Sequence, residues 1–366
     1  MRVLVFTAKF PPVIGGVEVF LGNLLPAIAA AGHEVEVVTS AVDGAPEVEE
    51  VDHVIVRRLP LEGALLSRDL RAALMSRRAV AELRATFRPD VIHVHDPGAA
   101  AWLHLRTRDV NPRPVALTVH TTIHHLRSLD SSSLGVAVRH ADRIVAVSDA
   151  VRRQLARSAP ERSNDIEVIR PAVPLPAPPS PVPLDPVCLL MVGRLAPQKG
   201  FDVGVRAFAR LAASRRHVAL DVVGKGPEES ALRHLAIELG IGNRVRWHGA
   251  LTGTALTGAF ERATLLLMPS RYEGYPLVAL EAAGHGRVVI ASRAPGLDEA
   301  VLDGTTGVLV PIDDVDKLAD AIERLLADPP RISTMGRAAR RRAASEHLFD
   351  RCVEEHEALY HRLVSH

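Results

Sequence analysis

Two glutamates eight positions apart, Glu273 and Glu281, are the side chains in this sequence best placed to do chemistry. Before them, Leu265 to Met268 is a short apolar run that suits a buried parallel strand. Pro269 and Ser270 end it, and Arg271 to Tyr275 is a polar loop. Pro276 suits the first turn of a helix, where its missing N–H costs nothing, and Leu277 to Ala283 continues that helix until Gly284 and Gly286. Ligands of open α/β sheets sit outside the carboxyl ends of strands, and a helix N-terminus there favours an anion. One short segment can therefore hold a phosphate with a carboxylate on each side. Glu281 is flanked by Ala279, Leu280, Ala282 and Ala283, so its carboxylate needs a partner and reads poorly as part of a solvated face.

A second set is cationic. Arg194 and Lys199 lie between Gly193 and Gly200, after an apolar run that reads as a strand, and Gly224-Lys225-Gly226-Pro227 follows the next such run. Arginine presents a planar fork to phosphate and lysine a movable point charge. Near a helix start the pair suits a diphosphate that gains charge as it leaves. Alone, the two read equally well as solvated loop charges; in the same half as the two glutamates, the nucleotide reading gains weight. Other chemistries lack their motifs. There is no G-x-x-x-x-G-K-[ST], no G-x-G-x-x-G after the first strand, no G-x-S-x-G, and no cysteine or histidine set with zinc spacing. His120, His124 and His125 read as hydrogen-bonded or surface histidines, so no metal is expected.

The elements that must position these groups repeat one grammar: short apolar strand, glycine- or proline-marked loop, helix. With 366 residues the chain exceeds one ordinary core, and two domains are expected. Residues 171–186 contain eight prolines and read as an extended linker. The boundaries expected are an N-terminal Rossmann-like domain over 1–170, a C-terminal one over 187–347 that binds the nucleotide, and a terminal helix over 348–366 that can cross back onto the first. A net charge of +1 leaves no footprint for nucleic acid. Cys188 and Cys352 read as buried free thiols. The N-terminus reads as a strand rather than a leader, no run approaches the ~20 apolar residues of a membrane span, and a cytoplasmic location is expected. The 65–88 stretch reads as a long helix with Arg68, Arg71, Arg77, Arg78 and Arg84 against Asp69 and Glu82. Such a helix suits a solvated face and also peripheral contact with the inner face of an anionic membrane.

Taken in order, the motifs resemble those of one family. They are Gly15-Gly16-x-Glu18, His93-x-His95, Val119-His120, Val147-Ser148, Gly193-Arg194-x4-Lys199-Gly200 and Gly224-x-Gly226-Pro227, then Pro269-Ser270-x-x-Glu273-Gly274-x-Pro276, Glu281 and Thr306-Gly307. The chain is similar to the GT-B-fold retaining glycosyltransferases of family 4, the glycosyl transferases group 1, across nearly its whole length. The resemblance implies an α/β architecture of two Rossmann-like, doubly wound parallel-sheet domains facing each other across a cleft. It implies transfer of a hexose-type sugar from a UDP- or GDP-linked donor to a hydroxyl acceptor, with retention by front-face displacement and no cofactor. Arg194 and Lys199 would hold the diphosphate, Glu281 the ribose hydroxyls and Glu273 the donor sugar. The backbone of Gly274, Tyr275, Pro276 and Leu277 would reach sugar or phosphate. Gly15, Gly16 and Gly224 would let the backbone approach the donor, Trp247, Gly249 and Leu251 would line the base pocket, and His120 would stand beside the sugar. Two departures are Pro171-Ala172, where many members have Asn-Gly, and Pro295-Gly296-Leu297-Asp298-Glu299, where a Gly-Gly turn precedes a glutamate. The alternatives are a sugar-nucleotide epimerase or phosphorylase on the same fold, and a non-catalytic nucleotide-binding subunit.

Overall fold

The structure, a computed structural model, describes residues 1–60, 69–95, 98–121, 132–177, 180–215 and 217–365. The chain divides into two compact units, Met1–Pro171 with Asp350–His366, and Ala172–Phe349.

Unit 1 is built on an eight-stranded sheet. Its strands are β1 (Arg2–Thr7), β2 (Glu34–Ser40), β3 (Val48–Val51), β4 (Val54–Leu59), β5 (Val91–His95), β6 (Val115–Val119), β7 (Arg143–Ala146) and β8 (Ile166–Val168). Their spatial order is β3-β4-β2-β1-β5-β6-β7-β8, and every pairing is parallel except β3 with β4. Val3 to Phe6 and Val91 to Val94 are buried without alternation, as strands covered on both faces must be. The chain leaves β1 toward β2 on one side and later returns as β5 on the other. That reversal makes the carboxyl ends of β1 and β5 the topological switch point, where doubly wound sheets bind ligands.

Unit 2 has six strands, all parallel: β9 (Cys188–Val192), β10 (Ala219–Val223), β11 (Val245–Gly249), β12 (Leu265–Met268), β13 (Val288–Ser292) and β14 (Gly307–Val310). The order is β11-β10-β9-β12-β13-β14, so its switch point lies between β9 and β12. Alternate residues of the central strands feed two cores on opposite faces. Leu189, Met191, Leu265 and Leu267 join one; Leu190, Leu266 and Met268 join the other. Both doubly wound sheets are those the resemblance implies.

Several expectations change in detail. The antiparallel β3 was not expected; it returns through Asp52 and His53, both at positive φ. The basic helix runs over Leu70–Phe87, with the Asp69 carboxylate accepting from the N–H groups of Arg71 and Ala72, so Asp69 is its cap and not part of its face. Arg68, with the rest of 61–68, lies outside the described residues, as do His124 and His125. Arg84 is not part of a basic face either. It is 1% exposed and donates to the carbonyls of Val110, Arg108 and Asn111.

The proline-rich stretch has no helix or strand among its described residues, as its prolines dictate, but it is not loose. Ala172 and Val173 are buried. Arg340 donates to the Pro176 carbonyl at 2.9 Å, Arg287 to that of Ser180 at 3.3 Å, and Thr264 to that of Pro183 at 2.7 Å. From Ala172 onward it belongs to unit 2, and the division falls between Pro171 and Ala172. The two cysteines are buried and free.

Candidate active site

The strand-end loops of unit 2 are locked to one another through main chain. The Gly193 N–H donates to the Val223 carbonyl at 3.0 Å, that of Gly224 to Gly249 at 2.7 Å, and that of Leu195 to Lys225 at 3.0 Å. Gly224 sits at φ +139°, and a Cβ there would fall 1.8 Å from the Gly193 carbonyl oxygen. Gly200, at φ +62°, would put one 2.0 Å from that of Pro269. No residue with a side chain fits either position. The loop carrying Arg194 and Lys199 is thus clamped between the end of β10 and the end of β12.

Arg271 completes the clamp. Its main-chain N–H donates to the Gln198 carbonyl at 2.8 Å, and its guanidinium to Asp202 at 2.9 and 3.2 Å, to Asp313 at 2.8 Å and to the Pro197 carbonyl. The Tyr272 hydroxyl reaches Gln198 at 3.3 Å. Arg271, Tyr272, Gln198 and Asp202 went unrecognised in the sequence because the pairs that join them are about 70 residues apart.

Within this frame Lys199 Nζ donates to both oxygens of Glu273, at 2.7 and 2.9 Å. Glu273 is 7% exposed, so its charge depends on that lysine. Arg194 is exposed, and among the described residues its guanidinium has no protein partner. Two cations therefore share one loop, one held by a carboxylate and one open.

The Leu277–Gly284 helix starts one residue later than Pro276, which stands at the N-cap and accepts from the Ala279 N–H at 3.0 Å. Proline lacks the N–H there, and its carbonyl still serves the first turn. Tyr275 turns its ring inward, with its hydroxyl 3.2 Å from His347 Nδ1. What Tyr275 offers the loop is main chain. The Pro295–Gly296 turn backs the same loop: Glu273 N–H donates to the Pro295 carbonyl at 3.3 Å. Glu281, one turn inside the helix, is half-buried and makes no side-chain hydrogen bond or ion pair among the described residues. Burial pushes its carboxyl up to about 7. A carboxylate in that state gains by accepting hydrogen bonds from a ligand.

Trp247 lies against the helix-covered core, with Arg233 stacked 5.0 Å from its ring. Gly249 stands at the end of β11, and Leu251, just past it, packs against the opposite core.

In unit 1 the switch point gathers the β1 loop, His95 at the end of β5 and His120 just past β6. Gly15 and Gly16 open the Gly16–Ala30 helix. A Cβ on Gly15 would strike the Glu18 carboxylate at 2.2 Å, whereas one on Gly16 would meet nothing within 4 Å. The missing side chain of Gly16 keeps space open at a helix N-terminus. His95 Nδ1 and His120 Nε2 are 2.9 Å apart. Burial holds His120 down to about 3, and burial with the neighbouring imidazoles holds His95 well below the ordinary histidine range. Both are neutral at pH 7. Among the described residues, no group of three or more His, Cys, Asp or Glu side chains could hold a metal ion.

Comparison with known proteins agrees with this arrangement. Residues 14–176 match the family described as Glycosyltransferase Family 4, and residues 177–342 that described as Glycosyl transferases group 1. The chain is 34% identical to the D-inositol 3-phosphate glycosyltransferase of Mycolicibacterium paratuberculosis, over 96% of this chain and 86% of that one. It is 29% identical to a glycogen synthase of Mycobacterium tuberculosis, over 94% and 91%. Sucrose-phosphate synthase from Thermosynechococcus elongatus superposes with a TM-score of 0.87 at 25% identity, covering 100% of this chain and 99% of that one. Anabaena HepE in complex with UDP-glucose superposes at 0.81 and 20% identity, over 98% and 99%, which speaks for the fold alone.

Proposed function

The chain belongs to the glycosyl transferases group 1, a glycosyltransferase enzyme of GT-B architecture, and from that premise we propose the reaction it runs. It moves a hexose-type sugar from a UDP- or GDP-linked donor to a hydroxyl acceptor, with retention and without a metal. The observation that carries the reading is the unit 2 switch point. There an open arginine, a lysine shared with a carboxylate, a helix N-terminus and an unpartnered carboxylate converge within one locked set of loops.

Each group has a role in that reading. Arg194 and Lys199 bind the diphosphate and stabilise the charge it gains as the glycosidic bond breaks. Lys199 meets the phosphate without abandoning Glu273, because an ammonium has three donors and two serve the carboxylate. Glu273 faces the sugar, and Glu281 accepts from both ribose hydroxyls. The departing phosphate takes the acceptor proton, so no protein base is required on that face. Donor contacts from Gly193 to Leu277 are mostly main chain, which suits a site locked by glycines. In unit 1, His120 is assigned to the transferred sugar and the space at Gly16 to the donor phosphate.

Peripheral contact with an anionic membrane belongs to the same proposal. The Leu70–Phe87 helix exposes Leu70, Leu74 and Met75 beside Arg71, Arg77 and Arg78. No helix among the described residues is long and apolar enough to cross a membrane. Sedimentation with phosphatidylglycerol vesicles, lost in a triple Arg→Glu variant at 71, 77 and 78, is the expected outcome; no sedimentation of the native chain ends this part of the proposal.

The reading is tested by a panel of UDP-, GDP- and ADP-sugars scored for thermal stabilisation. A ligand that binds only the folded state at 100 times its Kd adds about 2.7 kcal/mol. One base should stabilise the native chain and fail to stabilise Glu281→Ala. A flat response across the panel would sink the reading.

A further inference from the structure

The unit 1 switch point carries more behind His120 than a surface histidine requires. His93 is 0% exposed, with its Nδ1 2.8 Å from the Tyr360 hydroxyl on the C-terminal helix Phe349–Val364 and its Nε2 2.7 Å from Thr118 Oγ1. Its ring lies 4.0 Å from that of His95, centroid to centroid. His356, from the same helix, stands 5.9 Å from His93 and bonds through Nδ1 to the Cys352 carbonyl at 2.7 Å. The last element of the chain is thus packed behind the residue that touches His120.

The contact between His95 Nδ1 and His120 Nε2 needs one donor and one acceptor, and a neutral imidazole has one of each. His95 is 0% exposed and its Nε2 has no hydrogen-bond partner. Two arrangements follow. If His120 donates from Nε2, His95 accepts at Nδ1 and carries its own proton on Nε2, burying an N–H with no acceptor. If His95 donates from Nδ1, the orphan is a bare lone pair, and His120 carries its proton on Nδ1. Orphaned buried N–H groups are the rarer of the two kinds. We infer that His95 is a positioning residue that fixes His120 as the Nδ1–H tautomer, with His93, Thr118 and Tyr360 holding the His95 ring in the orientation this demands. The neutrality of both rings, a result of burial, is what leaves each with a single proton to place.

The consequence is a hydrogen-bond donor at His120 Nδ1, the atom type that suits a sugar hydroxyl oxygen. That consequence rests on the role given to His120 above; the tautomer itself does not. The test therefore reads the tautomer directly. The full chain is labelled with 15N in its imidazoles, and two-bond proton–nitrogen correlations are recorded at pH 7.5, with His120 assigned by its disappearance in His120→Gln. The native chain should show His120 protonated on Nδ1. His95→Asn, whose side-chain N–H replaces that of Nδ1, should keep this pattern. His95→Leu, which removes the donor, should convert it to Nε2–H or to an exchanging mixture. An Nε2–H signal for His120 in the native chain would overturn the inference with no variant needed, and so would an unchanged Nδ1–H in a folded His95→Leu. Neither result touches the thermal response to nucleotide sugars, so the two readings fail separately.

Discussion

The two switch points use opposite electrostatics on the same topology. In unit 2 the strand ends present charge: Arg194, the Lys199–Glu273 pair, and Glu281 poised near neutrality. In unit 1 they present His93, His95, His120 and His356, all neutral because burial and mutual proximity forbid a second proton. The difference teaches that a doubly wound sheet supplies only the place. What is put there decides whether the site meets a diphosphate or reads hydroxyls by hydrogen bonding.

The contrast is broken or sharpened most strongly by pH. A histidine held below its ordinary value contributes stability that is complete above pH 6.5 and is lost as pH falls through it, because the unfolded chain takes the proton first. His93, His95, His104, His120 and His356 all act this way. Unit 1 should lose on the order of 5 kcal/mol between pH 7 and pH 5. Glu281 works in the opposite sense: its raised pKa makes unit 2 less stable as pH rises from about 4.5 to about 7. Each unit holds one tryptophan, Trp102 and Trp247, so Trp247→Phe and Trp102→Phe let fluorescence report each unfolding separately. Equal pH slopes in both units would remove the contrast.

Lys199→Ala should lower transfer about 10²–10³-fold with the donor that stabilises the fold, as loss of one charge-stabilising contact does. It also leaves Glu273 buried without its partner, so unfolding in urea is run beside the kinetics. Activity within threefold of native would take Lys199 out of the chemistry. Glu281→Gln should raise stability by roughly 1–3 kcal/mol at pH 8, with little change below pH 4.5, while abolishing stabilisation by nucleotide. A destabilised Gln variant would mean that Glu281 has a structural partner. Tyr360→Phe, which strips His93 of its Nδ1 partner, should cost about 1–2 kcal/mol in unit 1 and nothing in nucleotide binding at unit 2.

The strand–loop–helix around Glu273 and Glu281 was legible because every cue in it is local: four apolar residues, two stop residues, a proline and two glycines. Gly193, Gly200 and Gly224 were visible as turn residues, but their reason, a carbonyl from another loop, is not written nearby. Arg84, Arg271, Arg287 and Arg340 show the limit most plainly. Composition places arginine outside, yet these four serve as internal ties, binding carbonyls or carboxylates more than 20 residues away. His93-x-His95 was seen as a motif, whereas its brace, Tyr360, lies 267 positions along the chain. A period-two strand can show that His93 and His95 share a face, but only packing reveals what covers it.

The central claim, that the unit 2 switch point binds the diphosphate of a nucleotide donor, is tested most directly by isothermal titration of UDP, GDP and UMP into the native chain and into Arg194→Ala with Lys199→Ala. The account predicts that one diphosphate binds the native chain, that its monophosphate binds at least tenfold more weakly if UDP is the one, and that the double variant loses about 100-fold in diphosphate affinity. Equal affinity for the diphosphate in the native chain and the double variant would contradict it.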